Sequence, residues 1–226
     1  TIKPLYADPN KYGPFLKDEF GVVWTTSHID RGVPHEYPLK SPDLTGYKFQ
    51  DAIAGYRFED LGDWCEKNKE HFRIIWIGDL WERATFMRPH EEILIDLSLN
   101  PDFVKDLLRG IADYILKTMK ILFERFPEGF DCVALSDDYG NQKALTMSPA
   151  MWRKFIKPLL REIYGFAKAN KKYVFHHTCG NVYEIIPDMI ETFYQLLSKK
   201  AAGIFHVTNP GTIKHREIIE MYEELV

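Results

Sequence analysis

Apolar residues along this chain follow two periods, and the way those periods alternate predicts the architecture. Three short runs, Arg73 to Gly78, Phe130 to Leu135 and Tyr173 to His177, have the length and composition of buried strands. Between them the apolar positions recur at helical spacing. Phe103, Val104, Leu107, Leu108, Ile111, Ile115, Met119 and Leu122 mark one face of a helix from Pro101 to Phe126, opened by Asn100 as N-cap with Pro101 in its first turn. Phe58 to Asn68 and His90 to Leu97 read as shorter helices, and Ser148-Pro149 opens another that ends near Asn170-Lys171. Lys168, Lys171 and Lys172 suit its C-terminus. Strand, helix, strand, helix implies parallel pairing, so the three strands are expected in one curved sheet with their C-terminal ends on one face.

The flanks differ from this core. Residues 1–57 are rich in Pro, Gly and aromatics, with Val22-Val23-Trp24 as a short strand and otherwise an irregular course. Residues 58–191 form the barrel-like core, and 192–226 a C-terminal segment with a strand at Gly203 to Val207 and a helix from Ile213 to Leu225.

Composition narrows the partners. With 226 residues, 45% of them hydrophobic, the chain can bury a substantial core as one domain. A net charge of -4 without a long basic run gives no reason to expect nucleic acid or an anionic membrane as partner. No apolar run approaches the roughly 20 residues needed to span a bilayer, and no secretory pattern opens the sequence, so a cytoplasmic location is expected. Cys65, Cys132 and Cys179 are an odd, widely spaced set that suits reduced thiols, Cys132 as part of the core.

Candidate chemistry gathers where the strands end. In Tyr173-Val-Phe-His-His-Thr-Cys-Gly-Asn181, side-chain alternation puts His177 and Cys179 on one face and His176 and Thr178 on the other. Imidazole and thiolate together suit zinc, and the amphipathic stretch Val182 to Ile190 places the pair on a strand-to-helix loop; the competing reading is a packed histidine and a buried thiol. Ser136-Asp137-Asp138-Tyr139-Gly140 sets two carboxylates beside a glycine turn, a candidate polar site or a loop with a helix-capping aspartate. In Asp79-Leu80-Trp81-Glu82-Arg83 charge again begins where a strand stops, and Glu82 with Arg83 either lines the same mouth or forms an ion pair of neighbours. His28, His35, His71, His90, His206 and His215 have no ligand spacing and read as surface or capping residues.

Four strings carry a family resemblance: Gly78-Asp-Leu-Trp-Glu-Arg83, Ser136-Asp-Asp-Tyr-Gly-Asn-Gln142, Ser148-Pro-Ala-Met-Trp-Arg-Lys-Phe155 and His177-Thr-Cys-Gly-Asn-Val182. From about Tyr12 to Glu191 the chain resembles the uroporphyrinogen decarboxylase superfamily, and within it the cobalamin-dependent methyltransferase branch. The decarboxylase's N-terminal Met-Arg-Gln-Ala-Gly-Arg motif does not occur here. The resemblance implies a TIM-barrel-like (β/α) fold, partial because a complete barrel needs about 250 residues. It further implies zinc on His177 and Cys179, a corrinoid carried by a partner protein, and a small-molecule methyl donor or acceptor. Asp137, Asp138, Glu82 and Arg83 take catalytic places in it, and Trp81, Tyr139 and Gln142 substrate-binding ones.

The branch's third ligand is a distal cysteine, and no cysteine follows Cys179. Water, Asp137, Asp138 or Glu82 is therefore expected to complete the metal site. Two alternatives remain: a metal-free lyase acting on a porphyrinogen-like substrate through Asp137 or Asp138, and a non-catalytic binding barrel. Separately, Ala202 to Val226 resembles the C-terminal region of sugar-nucleotide reductases of the extended short-chain dehydrogenase type, through its Val207-Thr-Asn-Pro-Gly211 turn and the helix after it.

Overall fold

The structure, a computed structural model, describes residues 8–28, 32–52 and 58–189. It opens with a short helix α1 (Pro9–Tyr12) and an antiparallel meander of β1 (Phe15–Lys17), β2 (Val23–Thr25) and β3 (Pro34–Glu36), in that order. The expected irregular opening is thus a small sheet whose Phe20, Val22 and Trp24 join the main core, and Asp18 adds a polar link to it. Asp18 accepts from the backbone N–H groups of Phe20 and Val22 and from the Trp24 indole, and its Oδ2 takes the Arg83 guanidinium at 2.9 Å.

The larger part runs α2 (Leu61–Lys67), β4 (Ile74–Gly78), α3 (Trp81–Met87), α4 (His90–Leu99), α5 (Pro101–Arg125), β5 (Cys132–Ser136), α6 (Pro149–Phe155), α7 (Lys157–Ala169) and β6 (Tyr173–His177). A 3₁₀ turn at Tyr183–Ile185 follows. Strands β4, β5 and β6 lie parallel in that order, as the sequence predicts, and the fold is α/β. Among the described residues the three parallel strands do not close a barrel. The strand and helix expected at Gly203 to Val207 and Ile213 to Leu225 lie outside the described residues.

The two faces of the parallel sheet differ. Val133 and Leu135 of β5 are sealed in the core that also holds the inner faces of α5 and α7. On the opposite face the register aligns large, small and large residues: Ile74, Cys132 and Tyr173 in one row, Trp76, Ala134 and Phe175 in the next. Trp76 meets Phe175 edge to face across Ala134, at 5.9 Å between ring centroids. Trp76 nonetheless keeps 46% of its surface exposed and Ile74 40%. His177, opposite Ser136, stands at the C-terminal end of this open face.

Three local features depart from the sequence reading, each for a backbone reason. The helix expected from Ser148 to about Asn170 breaks at Ile156, because Pro158 has no N–H to donate and its ring crowds the preceding turn. Asn100 occupies the N-cap position of α5 without capping it; its amide instead donates to Asp96 at 2.7 Å. Lys172 is buried rather than placed at the end of α7. Its ammonium donates to the carbonyls of Pro127 and Phe130, and so fastens the start of β5 to the start of β6.

Gly110, in the middle of α5, allows the loop at Phe49 to lie on the helix, since a β-carbon there would enter the Phe49 ring. Alanine normally stabilises a helix interior over glycine by about 0.5–1 kcal/mol. At Gly165 in α7, where nothing lies within 4 Å, Gly165→Ala should stabilise by that amount. Gly110→Ala should instead destabilise by roughly 1–3 kcal/mol through overpacking. Urea unfolding midpoints of the two variants check the opposite signs.

Candidate metal centre

Where β5 and β6 end, their outgoing loops bring three ligand-type side chains together. One ligand atom from each of Asp138, His177 and Cys179 lies within 4.8 Å of the others. His177 Nε2 is 3.2 Å from Cys179 Sγ and 3.9 Å from Asp138 Oδ1. Bonds of about 2.0–2.3 Å place the ligand atoms of a tetrahedral zinc roughly 3.3–3.8 Å apart, close to both separations made by His177 Nε2. Asp138 Oδ1 also accepts from the Cys179 backbone N–H at 2.7 Å, which holds the carboxylate to the thiol's own peptide. All three residues keep solvent access, Asp138 the least.

Of the carboxylates the sequence offered, the structure brings only Asp138 to the cluster. Asp137 turns the other way and is fully buried. Its Oδ1 accepts from the backbone N–H groups of Leu80, Trp81 and Glu82 at 2.9, 2.5 and 2.9 Å, and Tyr139 donates its hydroxyl to Oδ2 at 3.0 Å. Asp137 is therefore a helix cap, although for a helix 55 residues back along the chain rather than for its own loop. Burial pushes its pKa well above the usual carboxylate range, and the donors from the helix end and Tyr139 pull against that shift.

Trp81 and Tyr139, expected to bind substrate, are sealed in the core: Trp81 is wholly buried at the start of α3, and the Tyr139 ring stacks on His176. Gln142 is exposed on the loop after β5. Glu82 accepts from the Ser136 hydroxyl at 3.0 Å, and Ser136 pairs in register with His177, so this carboxylate approaches the cluster through one intervening side chain. Arg83 is committed to Asp79 at 3.1 Å and Asp18 at 2.9 Å and lies over the Phe20 ring. Its partners are thus one helical turn and a whole sheet away. The Asp79–Arg83 spacing of i, i+4 was the available signal for the first of them; nothing local marked Asp18.

Sequence reasoning assigned no role to His176, whose side chain enters the core opposite the cluster. Tyr164 pairs its hydroxyl with His176 Nδ1 at 2.6 Å, and Nε2 is buried without a partner. Burial, with a smaller contribution from His177 next door, drives the His176 pKa down to about 3. The folded protein therefore holds this imidazole neutral where an unfolded chain would protonate it. Stability present above the ordinary histidine pKa of about 6.5 must be lost as pH falls toward 3.

Two measurements follow. With metal removed by chelation, urea unfolding between pH 6.5 and 5 should show a loss approaching about 1.4 kcal/mol per pH unit, and His176→Gln should flatten it. Asp137→Ala should destabilise by about 3 kcal/mol or more, because it orphans three N–H groups at once. Asp137→Asn, which keeps an acceptor oxygen, should cost clearly less in the same assay.

Sequence comparison bears on the whole arrangement. No curated protein matches the chain. The sequence signature of the family described as uroporphyrinogen decarboxylase (URO-D) matches residues 76–201 and takes in the end of β4, all of β5 and β6, and every residue of the cluster. It stops just short of the Ala202 to Val226 segment. With more than half of its length matched, the chain belongs to the uroporphyrinogen decarboxylase family.

Proposed function

We propose that this chain is a zinc-dependent methyltransferase of the uroporphyrinogen decarboxylase-like type, moving a methyl group to or from a corrinoid protein or a coenzyme thiol. The observation that carries the reading is the convergence of Asp138, His177 and Cys179 within 4.8 Å, which gives a catalytic zinc the three protein ligands it normally uses. Asp138 stands in for the distal cysteine that the methyltransferase branch would supply. A zinc held there would act as a Lewis acid, lowering the pKa of a thiol or alcohol brought to it.

The chain's own residues do the rest. Asp138 is oriented by the Cys179 N–H, so the carboxylate is set before a metal is bound. Ser136 and Glu82 provide a hydrogen-bonded pair beside His177 for orienting a substrate. Trp76, exposed beside Phe175 in the row below, presents an apolar wall toward the open face. The metal-free lyase reading gains nothing from Asp137, both of whose oxygens are engaged inside the core.

Elemental analysis tests the proposal. Protein purified without chelators should carry about one equivalent of zinc, the stoichiometry of a single three-ligand site. Cys179→Ser should abolish uptake at an unchanged unfolding midpoint, and Asp138→Ala should weaken it. Uptake should also weaken as pH falls, since thiolate ligation requires loss of a proton. A Cys179→Ser variant that retains full zinc would overturn the reading.

A further inference from the structure

The ladder between β5 and β6 ends on the bond from Asp137 N to the His177 carbonyl at 3.0 Å, yet the loops beyond it stay tied by bonds that no strand pairing requires. Cys179 N donates to Asp138 Oδ1 at 2.7 Å, and Tyr139 N to Thr178 Oγ1 at 3.4 Å. Further out, Asn181 N donates to the Asn141 carbonyl at 2.7 Å and Asn181 Nδ2 to the Lys143 carbonyl at 2.9 Å. Asn141 in turn folds its own loop: its Oδ1 accepts from the N–H groups of Lys143 and Ala144 at 2.8 and 3.1 Å. The two turns are thus joined from Asp137 to Lys143 on one side and from His177 to Asn181 on the other.

This approach is possible only because both turns carry glycine at the crossing. A β-carbon on Gly140 would lie 2.6 Å from the Asn181 carbonyl oxygen and 2.8 Å from its nitrogen. One on Gly180, which also holds φ at +83°, would strike the Gly140 carbonyl. The obstacles are backbone atoms and not flexible side-chain ends, so neither clash can be relieved by a rotamer change.

We infer that the two turns form a backbone clasp in which Gly140, Gly180 and Asn181 are positioning residues, holding Asp138 against His177 and Cys179 before any metal arrives. The inference rests on the metal-site reading for its purpose, but its structural content stands apart from it. Without the crossing at Gly140 and Gly180, the Asp138 side chain would be fixed to the other loop by the Cys179 N–H alone, with the bonds of Asp137 N to the His177 carbonyl and Tyr139 N to Thr178 Oγ1 on either side of it. The clasp therefore converts two independently mobile turns into one rigid three-ligand set.

The test has two arms. In chelated protein, amide hydrogen exchange by NMR should show the Cys179 and Asn181 N–H groups protected, and Gly140→Ala or Asn181→Ala should remove protection at Cys179 while leaving β5 and β6 protected. In cobalt titrations, wild type should develop a thiolate-to-cobalt charge-transfer band, and either variant should bind cobalt about 10–100-fold more weakly, the scale of losing a support behind metal ligands. Should Gly140→Ala fail to fold, Asn181→Ala carries both arms, because it deletes only side-chain bonds. Unprotected Cys179 in wild type, or cobalt affinity within threefold of wild type in a folded variant, overturns the clasp. A protected Cys179 with no cobalt band overturns the metal reading and leaves the clasp a feature of the fold alone.

Discussion

The arrangement depends on the Asp137 carboxylate. A parallel sheet leaves each strand's C-terminal end facing the start of the next helix, where N–H groups have no partners of their own. Here one oxygen from the end of β5 takes three of those N–H groups at the start of α3, which follows the neighbouring strand β4. The bond network therefore crosses between successive β-α units, and it fixes the height of α3 against the sheet. Glu82, which gives the third of these N–H groups, and Arg83 after it inherit their positions from it.

A division of labour across the sheet follows. The face toward α5 and α7 carries the packing: Val133, Leu135 and Tyr164 are sealed there, and half-buried His176 pairs with the Tyr164 hydroxyl. The opposite face carries small residues in the middle strand and large ones on either side, and it leads up to the cluster. A half-buried histidine held neutral and an exposed one at the candidate cluster are thus sequence neighbours, separated only by the pleat.

How far the sequence disclosed this can be judged residue by residue. The parallel strands were legible because buried strands in such sheets read as short unbroken apolar runs, and α5 because its apolar stripe is long and regular. Helix α3 went unread, since Asp79, Glu82 and Arg83 obscure its apolar face and their partners lie far away in sequence. The break at Ile156 was available in principle from Pro158, but the strong capping signal at Ser148 favoured one continuous helix. At the site, alternation correctly joined His177 to Cys179. It also says that Asp137 and Asp138 diverge, yet only the packed structure shows which one turns inward. Tyr139 and Trp81 carry polar atoms that suggest ligand contact, and burial alone removes them from the surface.

Adjacent carboxylates with opposite duties make β5 a frame-dependent element. Asp137 secures a helix and Asp138 faces the cluster, and the two exchange faces if the strand slips by a single residue. An insertion or deletion between Phe130 and Asp138 would therefore strike anchorage and chemistry together, and no compensating substitution at one site could restore both.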